Sequence, residues 1–223
     1  MRDFKVYILL KEILKSREGC DIEELSDKLS IDTEVIKHIV LNFKSLSVKG
    51  NKIFVSRITN LVIEAWIKGY DIVELALSTG WKDVEKLCGE ILSRYGYKIL
   101  LNYRFRHCGR RYEIDVVGIQ EPYILLVDCK RWKRGNVSSL IHAAEEQVRR
   151  AQEFMYAFKP DKENINILNK ATNLTIIPLI VTVIDVDIKF HEGVPIVPIR
   201  YLRDFLISFK NYEDMIIKFN FKL

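Results

Sequence analysis

No apolar run in this chain approaches the ~18 residues that a membrane span requires. The N-terminal stretch MRDFKVYILLKEILKS is charged along its length and lacks a signal-peptide cleavage site. It reads as an amphipathic helix, and the expected location is the cytoplasm. The four cysteines, Cys20, Cys88, Cys108 and Cys129, form no CxxC pair and no zinc-type spacing. Cys88 falls in a helical pattern and Cys129 in a strand, so they are expected as small core residues in a reducing compartment. His38, His107, His142 and His191 are scattered, and no His/Cys metal cluster is visible. Pro- or Ser-rich linkers, internal repeats and low-complexity tracts are all missing, which favours packed domains over beaded ones. A large excess of one sign of charge is missing too: the net charge is only +5.

A hydrophobic content of 48% with 29% charged residues is ordinary for a soluble globular chain, and 223 residues suffice for one large domain or two small ones. The small charge excess is unevenly placed. Residues 1–80 carry 12 basic and 12 acidic side chains, whereas residues 81–223 carry 23 basic and 18 acidic. A polyanion would therefore find its main contact in the C-terminal part.

The first 57 residues read as three helices followed by a hairpin. The first helix covers about 3–15, the second follows Asp21 and the third follows Asp32 as N-caps. Gly50-Asn51 then marks a turn between two short β-prone runs. That order predicts a winged helix over 1–57, with Lys37, His38, Asn42 and Lys44 on the third helix as candidate DNA contacts. The same fold also serves as a protein-interaction or dimerisation module, and the segment is electrically neutral. Residues 58–80 read as a helical connector.

From Trp81 the pattern becomes that of an α/β domain, 81–223. A helix ends at Gly96; three strands follow at about 97–105, 111–119 and 122–131, the first two joined by a turn at HCGR. A long helix is expected at about 138–158, strands at 174–184 and 193–199, and a closing helix in RYLRDFLISF. This predicts a mixed sheet with helices on both faces.

Within it, YILLVDCKRW ends a buried apolar run on Asp128, Cys129 and Lys130. A charge there costs free energy unless it is paired or has a task. Alternation places Asp128 and Lys130 on one face and Cys129 on the other, and likewise puts Glu113 with Asp115 in YEIDVVG. If the two strands are neighbours, Asp115, Asp128 and Lys130 meet. Clustered carboxylates without His or Cys suit a hard cation, Mg²⁺ or Mn²⁺, which polarises a phosphoryl oxygen and activates water. The alternative is a structural ion pair between Asp128 and Lys130.

Asp115, twelve residues, then Asp128-Cys129-Lys130 resembles the PD-(D/E)xK signature of restriction-endonuclease-like nucleases. DCKRWKRG is most similar to the Mrr-like branch, and VEKLCGEILSRYGY resembles the first core helix of Mrr-like enzymes and archaeal Holliday-junction resolvases. The resemblance spans roughly 81–207. It implies a restriction-endonuclease-like fold and a Mg²⁺-dependent DNA endonuclease, with Asp115, Asp128 and the backbone carbonyl of Cys129 as metal ligands. Counting back eleven residues from Gly96, Glu85 rather than Glu90 matches the remaining ligand, and Lys130 matches the catalytic lysine. Gln147 resembles a polar residue placed near the active site in some branches. The chain departs from the signature with Ile114 where proline is usual and Asp128 where glutamate is common. Glu113 is extra, either a second-metal ligand or a salt-bridge partner. A homodimer is implied, since cutting two strands calls for two sites.

Basic residues border this constellation: Arg104, Arg106, Arg110 and Arg111 with interleaved Tyr103 and Tyr112, then Arg131, Lys133 and Arg134, then Arg149 and Arg150. They are candidate DNA-backbone contacts, or solvated charges. Two rival functions remain: a non-catalytic DNA-binding protein on a nuclease scaffold, and a transcription factor that senses a small anion.

Overall fold

A computed structural model describes residues 4–16, 19–131, 137–158 and 173–222. The chain divides into two compact units, Met1–Leu87 and Cys88–Leu223.

In the first unit, α1 (Phe4–Lys15) buries Leu9, Leu10, Ile13 and Leu14. Asp21 starts α2 (Ile22–Leu29) by accepting the Glu23 and Glu24 amides at 2.9 and 3.3 Å. Asp32 does the same for α3 (Thr33–Leu41) through the Glu34 amide at 2.9 Å. Each cap satisfies amides that the helix itself leaves without partners. Strands β2 (Leu46–Lys49) and β3 (Lys52–Val55) pair antiparallel around Gly50-Asn51. A third, two-residue strand, β1 (Cys20–Asp21), pairs with β3. It is too short to leave a periodic signal in the sequence.

The stretch after β3 is two helices rather than one, α4 (Ile58–Ile67) and α5 (Ile72–Leu77), broken at Gly69. Glu64 on α4 accepts the backbone amides of Lys44 at 2.8 Å and Ser45 at 3.0 Å, tying α4 to the turn that follows α3. Both helices lie within the first unit, and the boundary falls inside α6 (Trp81–Arg94).

The second unit is built on a mixed seven-stranded sheet. Its strands are β4 (Lys98–His107), β5 (Arg110–Gln120), β6 (Tyr123–Lys130), β7 (Asn173–Thr182), β8 (Phe190–His191), β9 (Val194–Pro198) and β10 (Phe219–Lys222). The order is β4-β5-β6-β7-β9-β8, with β10 also paired to β7. The meander β4-β5-β6 is antiparallel, and β6-β7-β9 is parallel. Between β6 and β7 lies α7 (Val137–Ala157); α8 (Leu202–Ser208) follows β9.

Helices cover both faces of the sheet. On one, Ala151 and Phe154 of α7 pack with Val117, Ile119, Ile124, Leu126, Leu174 and Ile176. On the other, Leu92 of α6 approaches so near Gly118 that a Cβ there would lie 2.6 Å from its Cδ2. Gly118 thus lets helix and strand close to a distance no larger residue permits. With both faces covered, β6 is buried along nearly all its length, which explains its continuous apolar run.

Among the described residues, no helix is long and apolar enough to cross a membrane.

Candidate active site

The site forms where β5 parts from β6. Their ladder ends at Val116 opposite Val127. One step further, Asp115 Oδ2 accepts the backbone N–H of Cys129 at 2.8 Å. This brings the Asp115 carboxylate to the strand end that carries Asp128 and Lys130.

The alternation of side chains slips at this point. Ile114 packs in the same cluster as Val117 and Ile119, and across the hairpin Leu100 packs there with Tyr103 and Phe105. An even and an odd position of each strand share one face, so the faces exchange near Asn102 and Asp115 while the β4–β5 register runs on unbroken. Asn102, at φ 51°, supplies the local backbone turn. Simple period-two reasoning for Glu113 and Asp115 does not carry across such a slip.

Asp128 has only 5% of its side chain exposed. Its Oδ1 accepts from Arg150 Nη1 at 2.9 Å. Its Oδ2 lies 2.7 Å from Lys130 Nζ, a contact ion pair without hydrogen-bond alignment. Gln147, fully buried on α7, donates from Nε2 to the Leu126 carbonyl at 2.7 Å and accepts from Arg150 Nη1 at 3.3 Å. Strand β6 thus holds Gln147, Gln147 steadies Arg150, and Arg150 fixes one oxygen of Asp128. The Cys129 thiol faces away, and its hydrogen bond with Cys88 together with burial pushes its pKa well above the ordinary thiol value.

A groove of about 470 Å³ opens beside this pair, lined by Asp128, Lys130, Ser138, Ser139, His142, Ala143, Glu146 and Arg150. Ser138, His142, Glu146 and Arg150 recur every four residues, one stripe of α7 facing the strand end. Sequence reasoning passed over Ser138, Ser139, His142 and Glu146. The four-residue repeat was visible, but nothing local says which helix face meets a distant strand.

The donor set suits a hard divalent cation: two carboxylates at one strand end, with Asp128 Oδ2 buried and without a hydrogen bond. Mg²⁺ commonly takes one or two carboxylates and completes its shell with water and phosphate. Among the described residues no group of three His, Cys, Asp or Glu side chains converges as a ready-made metal cage.

The remaining expected residues fall in different surroundings. Glu85 is buried on the first turns of α6, on the first unit's side of the boundary. Glu113 is held by Arg104, Nε to Oε2 at 2.9 Å and Nη2 to Oε1 at 3.4 Å, as a salt-bridge partner. Arg149 pairs with Glu146. Arg150 turns inward to Asp128 instead of lying with the surface charges. Arg131 is half-buried just past β6, whereas Arg106, Arg110 and Arg111 are exposed. Lys133 and Arg134 lie outside the described residues.

Comparisons with known proteins find partial similarity to this chain. An uncharacterized protein of Archaeoglobus fulgidus is 28% identical over 134 residues, covering 59% of this chain and 93% of that protein. Among solved structures, protein VC1899 from Vibrio cholerae aligns with 95% of this chain at 12% identity and a TM-score of 0.43. The chain spans just over half, 56%, of that protein's length. The protein of unknown function AF1548 aligns with 57% of this chain and 65% of its own length, at 17% identity and a TM-score of 0.31. Residues 79–183, which contain α6, the β4-β5-β6 meander, α7 and β7, match the family of the nuclease-related domain (NERD), so the strand-end carboxylates and lysine lie inside a nuclease-related stretch.

Proposed function

We propose that this chain is a divalent-metal-dependent endonuclease that hydrolyses DNA phosphodiester bonds in restriction, repair or junction processing. The observation that carries the reading is that the Asp115 carboxylate is bound to the Cys129 amide at the end of β6, the same strand end that carries Asp128 and Lys130, with Lys130 Nζ 2.7 Å from Asp128 Oδ2. The nuclease-related match over 79–183 supports it, as does the resemblance to the PD-(D/E)xK signature.

In this reading Asp115, Asp128 and the Cys129 carbonyl would hold Mg²⁺ or Mn²⁺. The bound ion supplies a polarised phosphoryl oxygen and a water of lowered pKa. Lys130 orients the attacking water and stabilises charge that develops on the phosphate. Arg150 and Gln147 position Asp128. The first unit is assigned as a winged helix that contacts DNA or protein, and the active assembly as a homodimer.

A second reading has one observation in its favour. Asp128 already meets two cations, Lys130 and Arg150, as a purely structural carboxylate would. The nuclease-like domain would then be a scaffold in a non-catalytic DNA-binding protein.

One experiment separates the two: a panel of labelled linear, flapped, branched and single-stranded DNAs incubated with Mg²⁺ or Mn²⁺, beside Asp115→Asn. Metal-dependent cleavage that disappears in the variant supports the enzyme. DNA binding without cleavage by either protein across the panel supports the scaffold.

A further inference from the structure

The hairpin of β4 and β5 extends past the end of β6 as a two-stranded ribbon. Its tip is a two-residue turn in which Cys108 and Gly109 both take positive φ, 47° and 77°, the backbone of a type I′ turn. Directly opposed residues share a face, so the pairing sorts the ribbon's side chains. Tyr103, Phe105 and His107 with Arg110, Tyr112 and Ile114 form one face. That face lies on α7: Tyr103 and Phe105 meet the Phe154 ring at 5.6 and 5.7 Å, and His107 Nδ1 meets Glu153 Oε2 at 2.5 Å. The other face carries Arg104 opposite Glu113 and Arg106 opposite Arg111, all four exposed.

These two cross-strand pairs differ in kind. Arg104 and Glu113 satisfy each other. Arg106 and Arg111 confront like charge with like charge, and among the described residues neither forms an ion pair. Like charges directly opposed weaken a hairpin, so the arrangement lacks a structural rationale. Two guanidinium forks side by side do match an anion with several oxygens.

We infer that Arg106 and Arg111 form a phosphate clamp on the exposed face of the ribbon, holding the backbone of duplex DNA. The inference deepens the proposed nuclease reading by placing one backbone contact of its substrate. Arg111 precedes Asp115 by four strand residues, a reach of at most ~13 Å. At ~3.4 Å of rise per base on a strand, that backbone separation corresponds to about four base steps. Arg110 stands on the opposite face and is not part of the clamp.

The test measures binding of a labelled random-sequence duplex in EDTA across a salt series, so that it does not depend on cleavage. Arg106→Ala/Arg111→Ala should lower the slope of log affinity against log salt by about 0.9 for each phosphate that is no longer neutralised, with an unchanged or higher melting temperature. Arg106→Lys/Arg111→Lys should keep most of the slope. Lys210→Ala/Lys222→Ala, which removes the same charge outside the hairpin, should keep all of it. An unaltered slope in the alanine pair overturns the clamp, as do an equal loss in the Lys210/Lys222 control, loss in the lysine pair, or wild-type protein that binds no duplex. The two readings fail separately. A slope change in a protein that cuts nothing leaves the clamp standing and removes the nuclease; cleavage with an unchanged slope does the reverse.

Discussion

Asp115 Oδ2 and the backbone amide of Cys129 are joined at 2.8 Å, one step beyond the last β5–β6 ladder pair. The carboxylate therefore closes the sheet at the strand end that carries Asp128 and Lys130. Asp115→Asn retains an acceptor for that amide, so it should melt near wild type while metal-dependent cleavage disappears. Asp115→Ala leaves the amide without its acceptor and should lose both activity and about 1–3 kcal/mol of stability. Cleavage assays and thermal melts of the two variants check this. An active Asn variant would remove Asp115 from the ligand set.

Lys130 and Arg150 share Asp128, one on each carboxylate oxygen. Lys130→Ala leaves Arg150 in place, so the melting temperature should fall only modestly while cleavage drops by about 10²-fold or more. Lys130→Ala/Arg150→Ala strands a buried carboxylate and should cost about 3–5 kcal/mol, more than the two single losses added together. A double-mutant cycle on melting free energy, run beside cleavage rates, measures both. Undiminished cleavage by Lys130→Ala would make the lysine purely structural.

Gln147→Leu removes the donor to the Leu126 carbonyl and the acceptor for Arg150 at once. A stability loss of about 1–3 kcal/mol is expected from the buried groups left unsatisfied. Cleavage should fall further than the folded fraction does, because Arg150 loses its support. Comparing rates per folded molecule, well below the melting temperature, decides the point.

Cysteine reactivity offers a test of the fold that needs no substrate. Cys20, Cys88 and Cys129 are 8%, 0% and 1% exposed, whereas Cys108 at the hairpin tip is open. Native protein should take up one alkylating group, at Cys108, and unfolded protein four, as read by mass spectrometry.

The same burial sets an alkaline limit. The Cys129 pKa is raised by its hydrogen bond with Cys88 and by burial, and burial raises that of Tyr97 to about 12. Both groups stay neutral in the fold at pH values where the unfolded chain ionises. Their contribution is whole below the unfolded values and declines as pH rises, from about 8.5 for the thiol and about 10 for the phenol. Melting temperature should therefore fall progressively above about pH 8.5, and Cys129→Ala should delay the onset of the fall. A flat profile to about pH 10 in the wild type would contradict the burial of Cys129.

Much of this architecture was legible in the residues because it depends on local physics. Asp21 and Asp32 cap helices through amides two and three positions away, and Cys108-Gly109 turns on its own backbone. The apolar run of β6 signals a strand covered on both faces, and Asp128 with Lys130 at its end stands out as a charge at a buried position. Other features rest on partners far along the chain. The slip of alternation at Asn102 and Asp115 appears only when both strands and α7 pack together. Arg150 reads as one more surface base until α7 lays it against Asp128, twenty-two residues earlier. Glu113 had two open roles, and the β4–β5 register gave it to Arg104. Strands β1, β8 and β10 are two to four residues long and hold their conformation through the strands beside them. A periodic pattern shows which face of an element is buried; only tertiary packing decides what that face meets, because register and helix docking are set by contacts between residues distant in sequence.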